Sequence, residues 1–241
     1  MKLVSKFIKL IKLIKNKKTR KGLLSNIAAN IELEDLVKDL QFETVFDIGS
    51  NKGQFILLIE KIFKEEKFFY SFEPITEILN KQKKFFSNKK NILFFNFALG
   101  DKFEKKILNI TKRKDSSSFL QINIIKNNDH KIEEKREITI KPLDQIIDIE
   151  NIIKPILLKI DVQGYEFEVL KGSNNILKQS KYIIAEVSEN EIYKGQHLAN
   201  QITKYLNDIN FKATKETKPY RIPGTRFSQK DILFINRGFN E

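Results

Sequence analysis

The side chains able to do chemistry stand at intervals along this chain, each just after a short apolar run. Asp47-Ile48-Gly49-Ser50-Asn51-Lys52-Gly53 closes the run that starts at Thr44, and Glu73-Pro74 follows Phe68 to Phe72. Asn96-Phe97-Ala98 ends a run from Ile92, Asp161-Val162-Gln163-Gly164 follows Ile156 to Ile160, and Glu186 ends a run from Tyr182. Carboxylates and amides accept hydrogen bonds from hydroxyl and amino groups. Gly49 and Gly53 lack Cβ, which suits a sharp turn into a helix and close backbone approach to a small ligand. Glu73 stands about 20 residues beyond the turn, where a carboxylate accepts hydrogen bonds from both ribose hydroxyls. The pair predicts a nucleoside-containing ligand, with Asn96 and Ala98 on the next strand end.

The glycine spacing narrows the ligand. A dinucleotide fingerprint, G-x-G-x-x-G, needs glycine where Asn51 and Gln54 stand, which disfavours a nicotinamide cofactor. A single nucleoside without pyrophosphate, such as S-adenosylmethionine, tolerates this turn, and Asp47 would receive its amino group. The plain alternative is a tight turn with Asp47 as a helix cap. On the acceptor side, Asp161 suits a general base, with Glu166 and Glu186 as neighbours that bind a hydroxyl or raise its pKa by like-charge proximity. A capping role competes for Asp161 and for Glu166. Lys159 falls on the same strand face as Asp161.

No metal is assigned: Asp161 with a second carboxylate has donor chemistry for Mg²⁺, but nothing in the spacing requires it. His130, in a polar loop, and His197, at a helix start, are read as solvated. Ser117, Ser118 and the loop from Lys218 to Phe227 are placed at the border of the acceptor pocket. Arg221 and Arg226 in that loop would meet an acidic or phosphorylated group.

Strands must carry these residues. Thr44–Ile48, Phe68–Phe72, Ile92–Phe97, Ile156–Ile160 and Tyr182–Val187 are β-branched or aromatic runs. Helical spacing fills Phe55–Phe63, Ile75–Phe86, Phe167–Leu177 and Leu198–Ile209. This alternation predicts parallel strands with right-handed crossovers, an open sheet with helices on both faces. The polar stretch 101–140, with turns at Ser116–Ser118 and Asn127–Asp129, reads as short strands beside that sheet. Two last strands are expected at Phe211–Thr214 and Ile232–Ile235, separated by a loop holding Pro219, Pro223 and Gly224.

At 241 residues the chain suits one α/β domain at 41–241, with residues 1–40 as a helical appendage. It has no cysteine and two histidines, which excludes disulfides, thiolate chemistry and a multi-histidine metal centre. The net charge is +13, in a composition whose Lys, Ile, Asn and Phe are also those favoured by AT-rich codons. Nine basic residues and no acidic one fall within residues 1–22, while Leu3, Phe7, Leu10, Ile11 and Ile14 repeat at helical spacing. This basic amphipathic helix either lies on an anionic membrane or packs on protein. Its clustering at one end argues against a nucleic-acid groove. Lysine interrupts the apolar residues too often for a secretory signal, and a second helix is expected from Leu23 to Leu40. The expected location is cytoplasmic, with peripheral contact at the inner membrane surface.

Phe46–Gly53, Phe72-Glu73-Pro74, Ala98-Leu99-Gly100-Asp101 and above all Leu158–Gly172 resemble the FkbM-type methyltransferases, in the family's order over residues 43–236. The resemblance implies a Rossmann-like class I methyltransferase fold, a seven-stranded sheet with its last strand antiparallel. It also implies S-adenosylmethionine as methyl donor and a hydroxyl acceptor on a saccharide, glycan or related natural product. By position, Gly49, Asn51 and Gly53 would line the methionine end, Glu73 would hold the ribose, and Asn96 with Ala98 would edge the adenine. The alternative function is a non-catalytic nucleoside-binding module docked through its basic end on RNA or an anionic membrane.

Overall fold

The computed structural model describes residues 2–123, 128–222, 225 and 227–239; Asn127, Pro223, Gly224 and Arg226 lie outside these. Two helices, α1 (Lys2–Lys15) and α2 (Lys17–Leu24), stand where the sequence predicts one. Asn16 makes the break, because its side-chain oxygen accepts the N–H groups of Lys18 and Thr19 and so caps α2. The Thr19 hydroxyl donates to the carbonyl of Leu13, tying the two helices together.

The expected helix from Leu23 to Leu40 does not form. α2 ends in a Schellman turn: Ile27 N–H donates to the Gly22 carbonyl and Asn26 N–H to that of Leu23, with Asn26 at a φ of 58°. Beyond it stand a 3-10 turn at Ile31–Leu33 and the one-turn helix α3 (Glu34–Val37). The apolar periodicity there reflects burial, since Ile27, Ile31, Leu33, Leu36 and Val37 all join the core beneath the sheet.

The strands are β1 (Thr44–Ile48), β2 (Phe68–Phe72), β3 (Ile92–Phe95), β4 (Ala98–Leu99), β5 (Glu104–Thr111), β6 (Ile132–Lys141), β7 (Ile156–Ile160), β8 (Tyr182–Ser188), β9 (Phe211–Glu216), β10 (Tyr220–Arg221) and β11 (Ser228–Asn236). Among them run α4 (Gln54–Ile62), α5 (Thr76–Phe85), α6 (Glu166–Lys171), α7 (Asn174–Lys178) and α8 (Ala199–Asp208). The main sheet has the order β3-β2-β1-β7-β8-β11-β9, and β11 runs antiparallel to both neighbours. These are the seven expected strands, with the two-residue β10 as an eighth beside β11. Every residue of β1 and β7 is buried, as befits central parallel strands covered on both faces. β1 pairs with β2 on one side and β7 on the other, so the strand order reverses there and a crevice forms beyond the strand carboxyl ends.

Two further departures follow from local contacts. The third run stops at Phe95, and Ala98–Leu99 crosses to a separate sheet, β4-β6-β5, where β5 and β6 form a long hairpin. The helix expected over Phe167–Leu177 is broken, since at Gly172 a Cβ would lie 1.9 Å from the Gly100 carbonyl oxygen. The chain restarts as α7 with its Asn175 and Ile176 N–H groups donating to the Asp144 carboxylate. Among the described residues no helix is long and apolar enough to cross a membrane.

Candidate active site

The turn after β1 is held by its own backbone accounting. Gly49 and Ser50 donate their N–H groups to the Phe72 carbonyl, and Gly53 donates to Ser50. Asn51 N–H donates to Glu73 Oε2 at 3.0 Å, and Lys52 N–H to the Gln54 side chain. Each N–H from Gly49 to Gly53 therefore has a protein acceptor, which leaves this loop without the free donors a pyrophosphate would need. Beneath it Ser71 donates to Ser50 at 2.8 Å, and Gln82 Nε2 donates to Ser71 at 2.8 Å, a buried polar ring that locks the loop to β2 and α5.

The glycines serve this packing. At Gly49, with φ of 78°, a Cβ would sit 1.9 Å from the carbonyl oxygen of Asp161, so the ends of β1 and β7 touch main chain to main chain. At Gly53, with φ of 84°, it would strike the Phe86 ring at 2.5 Å. The close approach seen at these glycines is to the Asp161 carbonyl and the Phe86 ring. Gly49→Ala combines a left-handed backbone with a backbone clash, and we expect it to destabilise the fold by roughly 3–5 kcal/mol in urea unfolding. A loss below about 1 kcal/mol would contradict this packing.

The turn carries unpartnered acceptors. Asp47 is buried at the end of β1, and its Oδ2 has no hydrogen-bond partner; neither has Oδ1 of Asn51, which holds a φ of 49°. Asp47 therefore does not cap α4. Burial pushes its pKa up to about 7, with Lys159 pulling it down and Asp161 adding to the rise. Glu73 is also buried and raised to about 7 by burial, while the N–H groups of Ile75 and Asn51 stabilise its charge. Its neighbour Asn96 donates to the carbonyls of Glu73 and Pro74 and accepts from Thr76, which braces the end of β2. Ala98 is buried in the apolar cluster of the smaller sheet, beside Ile75 and Ile78.

Acidic groups converge across β7, β8 and β11. Lys159, buried, reaches Asp161 Oδ2 at 3.1 Å and Asp231 Oδ1 at 3.8 Å. Burial opposes its charge, yet Asp161, Asp231 and Glu186 hold its pKa above the ordinary range. Gln163 spans the two carboxylates, its Nε2 donating to Asp161 Oδ1 at 2.8 Å and to Glu186 Oε2 at 2.9 Å. Tyr193 hydroxyl donates to Gln163 Oε1 at 2.7 Å, the Ser118 hydroxyl to the Gln163 carbonyl at 2.7 Å, and Gln229 Nε2 to Glu186 Oε2 at 2.8 Å. Burial, then Asp161 and Asp231, push the Glu186 pKa well up. Asp161 keeps 28% of its side chain exposed and takes side-chain donors, so the described contacts give it no capping role. Glu166 is different: its Oε1 accepts the N–H groups of Val162 and Gly164, so it braces the turn after β7, and burial raises it to about 7.

These shifts set a sign. A carboxyl raised to about 7 keeps its proton in the folded state while the unfolded chain loses it above about pH 4. The folded form then binds more protons, so unfolding free energy falls as pH climbs from about 4.5 to about 7 and levels off above. Denaturant titrations of the ligand-free chain across that range test this. A stability that rises through the same window would overturn the burial of Asp47, Glu73 and Glu166.

The remaining residues fall at the rim or away from it. The Ser117 hydroxyl oxygen accepts the Thr111 N–H at the hairpin, and Arg221 is exposed on β10. His197 stacks on Phe167 with ring centroids 3.9 Å apart, and His130 lies in a 3-10 turn at the hairpin end. Among the described residues no group of three or more His, Asp or Glu is arranged to hold a metal.

A model of the FkbM methyltransferase domain matches residues 47–213, from Asp47 past Glu186. The chain belongs to the FkbM methyltransferase family. This FkbM-family chain is 31% identical over 103 residues to the hexuronic acid methyltransferase AglP of Haloferax volcanii, a match covering 39% of this chain and 43% of that protein. Its fold is similar to that of methyltransferase FkbM from Methylobacillus flagellatus KT, at a TM-score of 0.52 and 15% identity, over 83% of this chain and 45% of the other. The FkbM-family chain thus spans less than half of either relative.

Gln163, Tyr193, Gln229 and Asp231 are site residues that the sequence reading left unassigned. For Lys159 and Asp231 a signal existed, opposite charges set inside two apolar strands. Tyr193 carried none, because the loop after β8 is brought to Gln163 by tertiary packing alone.

Proposed function

We propose that this chain is an S-adenosylmethionine-dependent O-methyltransferase acting on a hydroxyl of a saccharide or related glycan. The observation that carries the reading is the unpartnered, buried Asp47 oxygen in a turn whose N–H groups from Gly49 to Gly53 are already used. Such a turn offers acceptors and little for a phosphate, which fits a ligand that brings an amino group to Asp47 and lacks phosphate. Asp47 and Asn51 would hold the amino acid end, with Gly49 and Gly53 shaping the loop around it. Glu73 would hold the ribose, and Asn96 and Ala98 would border the base.

When bound, S-adenosylmethionine supplies a methyl group already attached to a positive leaving group. The chain's task is then to align the acceptor oxygen and remove its proton. Orientation is worth roughly 7–11 kcal/mol in well-placed systems. Asp161 would take the acceptor proton, since its carboxylate is the partly exposed member of the cluster. Gln163 would keep Asp161 and Glu186 in fixed relation, and Lys159 would offset their charge. Glu166 would hold the turn that presents Asp161.

A carboxylated sugar is the first acceptor to test. The relative named for hexuronic acid supports it, as does Arg221, exposed on β10 and paired in register with Ser228 beside Gln229. The experiment follows labelled methyl from S-adenosylmethionine onto uronic-acid-bearing glycans. Transfer that is lost in Glu73→Ala is the expected result. Absence of transfer to every saccharide acceptor, together with transfer to a non-sugar phenol or protein, would remove the saccharide reading.

A further inference from the structure

The fold attaches α1 through Leu13 and leaves its other described apolar side chains uncovered. Leu13 is 4% exposed and enters the core with Ile27 and Leu57, while Lys9, one turn back, pairs with Glu32 at 2.6 Å. Leu10, Ile11 and Ile14 are 45%, 38% and 45% exposed, and at about 100° per residue they form one continuous strip that runs from beside Leu13 round to the far side of the helix. Lys12, Lys15, Lys17 and Arg20 are exposed nearby, and none forms an ion pair among the described residues.

We propose that this face docks the protein on an anionic lipid surface, with Leu10, Ile11 and Ile14 entering the headgroup boundary and the neighbouring basic side chains meeting lipid phosphates. Charge complementarity selects that occupant. A second copy would bring two strongly basic segments together, and like charges repel. RNA would satisfy the charge, but Leu10, Ile11 and Ile14 are aliphatic and give bases no stacking surface. A bilayer satisfies both halves of the pattern.

α2 is packed on the domain, and α1 is tied to it through Thr19 and Leu13. At Gly22 a Cβ would come within 2.3 Å of Leu57, so α2 lies directly on α4, and Lys18 donates to the Glu60 carbonyl at 2.7 Å. Glu60 stands at the end of α4 remote from the β1 turn, so lipid contact leaves the strand-end crevice open.

The chain has no tryptophan, so a single introduced one reports its own surroundings. Leu10→Trp in the full chain, mixed with phosphatidylcholine vesicles containing phosphatidylglycerol, is expected to show blue-shifted emission that brominated lipids quench. Phe103→Trp, at an exposed site between β4 and β5, is expected to show neither. Replacing Lys12, Lys15 and Lys17 together by Gln should lower vesicle partitioning by on the order of 100-fold, since each lysine near the surface is worth about fivefold. Circular dichroism checks that these exposed changes leave the fold intact. Equal partitioning into pure phosphatidylcholine, no partitioning at all, tighter binding to RNA, or a dimer that buries position 10 would each overturn the proposal.

Discussion

Asp47→Asn is expected to raise the stability of the ligand-free protein at pH 7 and above while lowering its affinity for S-adenosylhomocysteine by on the order of 100-fold. The opposite signs come from one cause. Asp47 is buried with an unpartnered oxygen, and burial lifts its pKa to about 7, so the empty protein carries a cost each time it ionises. Asparagine removes that cost and keeps the shape. A ligand's amino group, by contrast, needs the carboxylate. The same logic fixes a pH dependence. Below about 7 the site must lose a proton before it takes a cation, so wild-type affinity should climb by up to about tenfold per pH unit and then flatten. In Asp47→Asn that slope should vanish. Calorimetric titrations at several pH values measure both effects. Equal affinities for the two proteins would detach Asp47 from the ligand.

Asp161→Asn should reduce kcat by roughly 10²–10⁴-fold, the usual value of a positioned base, while leaving affinity for S-adenosylhomocysteine unchanged. The side chain keeps its contact with Gln163 in size and place but can no longer accept a proton. Tyr193→Phe should act through Gln163, because the lost hydroxyl is the donor that fixes the amide between Asp161 and Glu186. Its effect is expected in kcat, on the order of tenfold, with a displaced pH profile. Initial rates on an accepted glycan, run across pH, separate the two. Wild-type kcat in Asp161→Asn would move the base elsewhere, with Glu186 the next carboxylate in the cluster.

What the sequence revealed, and what it hid, divides along the length scale of the contacts. β1, β2 and β7 end where the apolar runs end, because parallel strands covered on both faces read as near-continuous apolar runs. Glu73 and Asp161 were legible as the first polar groups past those ends, and Asp47 as the carboxylate one residue before the end of β1. Helix ends were less so, because single caps decide them: Asn16 splits one helix, Asn26 stops the next, and Gly172 breaks a third against Gly100. The polar cluster was half visible. Lys159 and Asp231 are anomalies inside strands, whereas the Tyr193 to Gln163 bond spans a loop whose path no local pattern announces. At Gly49 the contact that the missing Cβ permits is with the Asp161 carbonyl, a tertiary contact that no local pattern announces.

The most direct measurement titrates the full chain by calorimetry with S-adenosylhomocysteine and, separately, with NAD⁺. A strand-end turn that presents acceptors and has used its N–H groups predicts saturable binding of the first and none of the second. Binding of NAD⁺ in preference, or of neither, would contradict it.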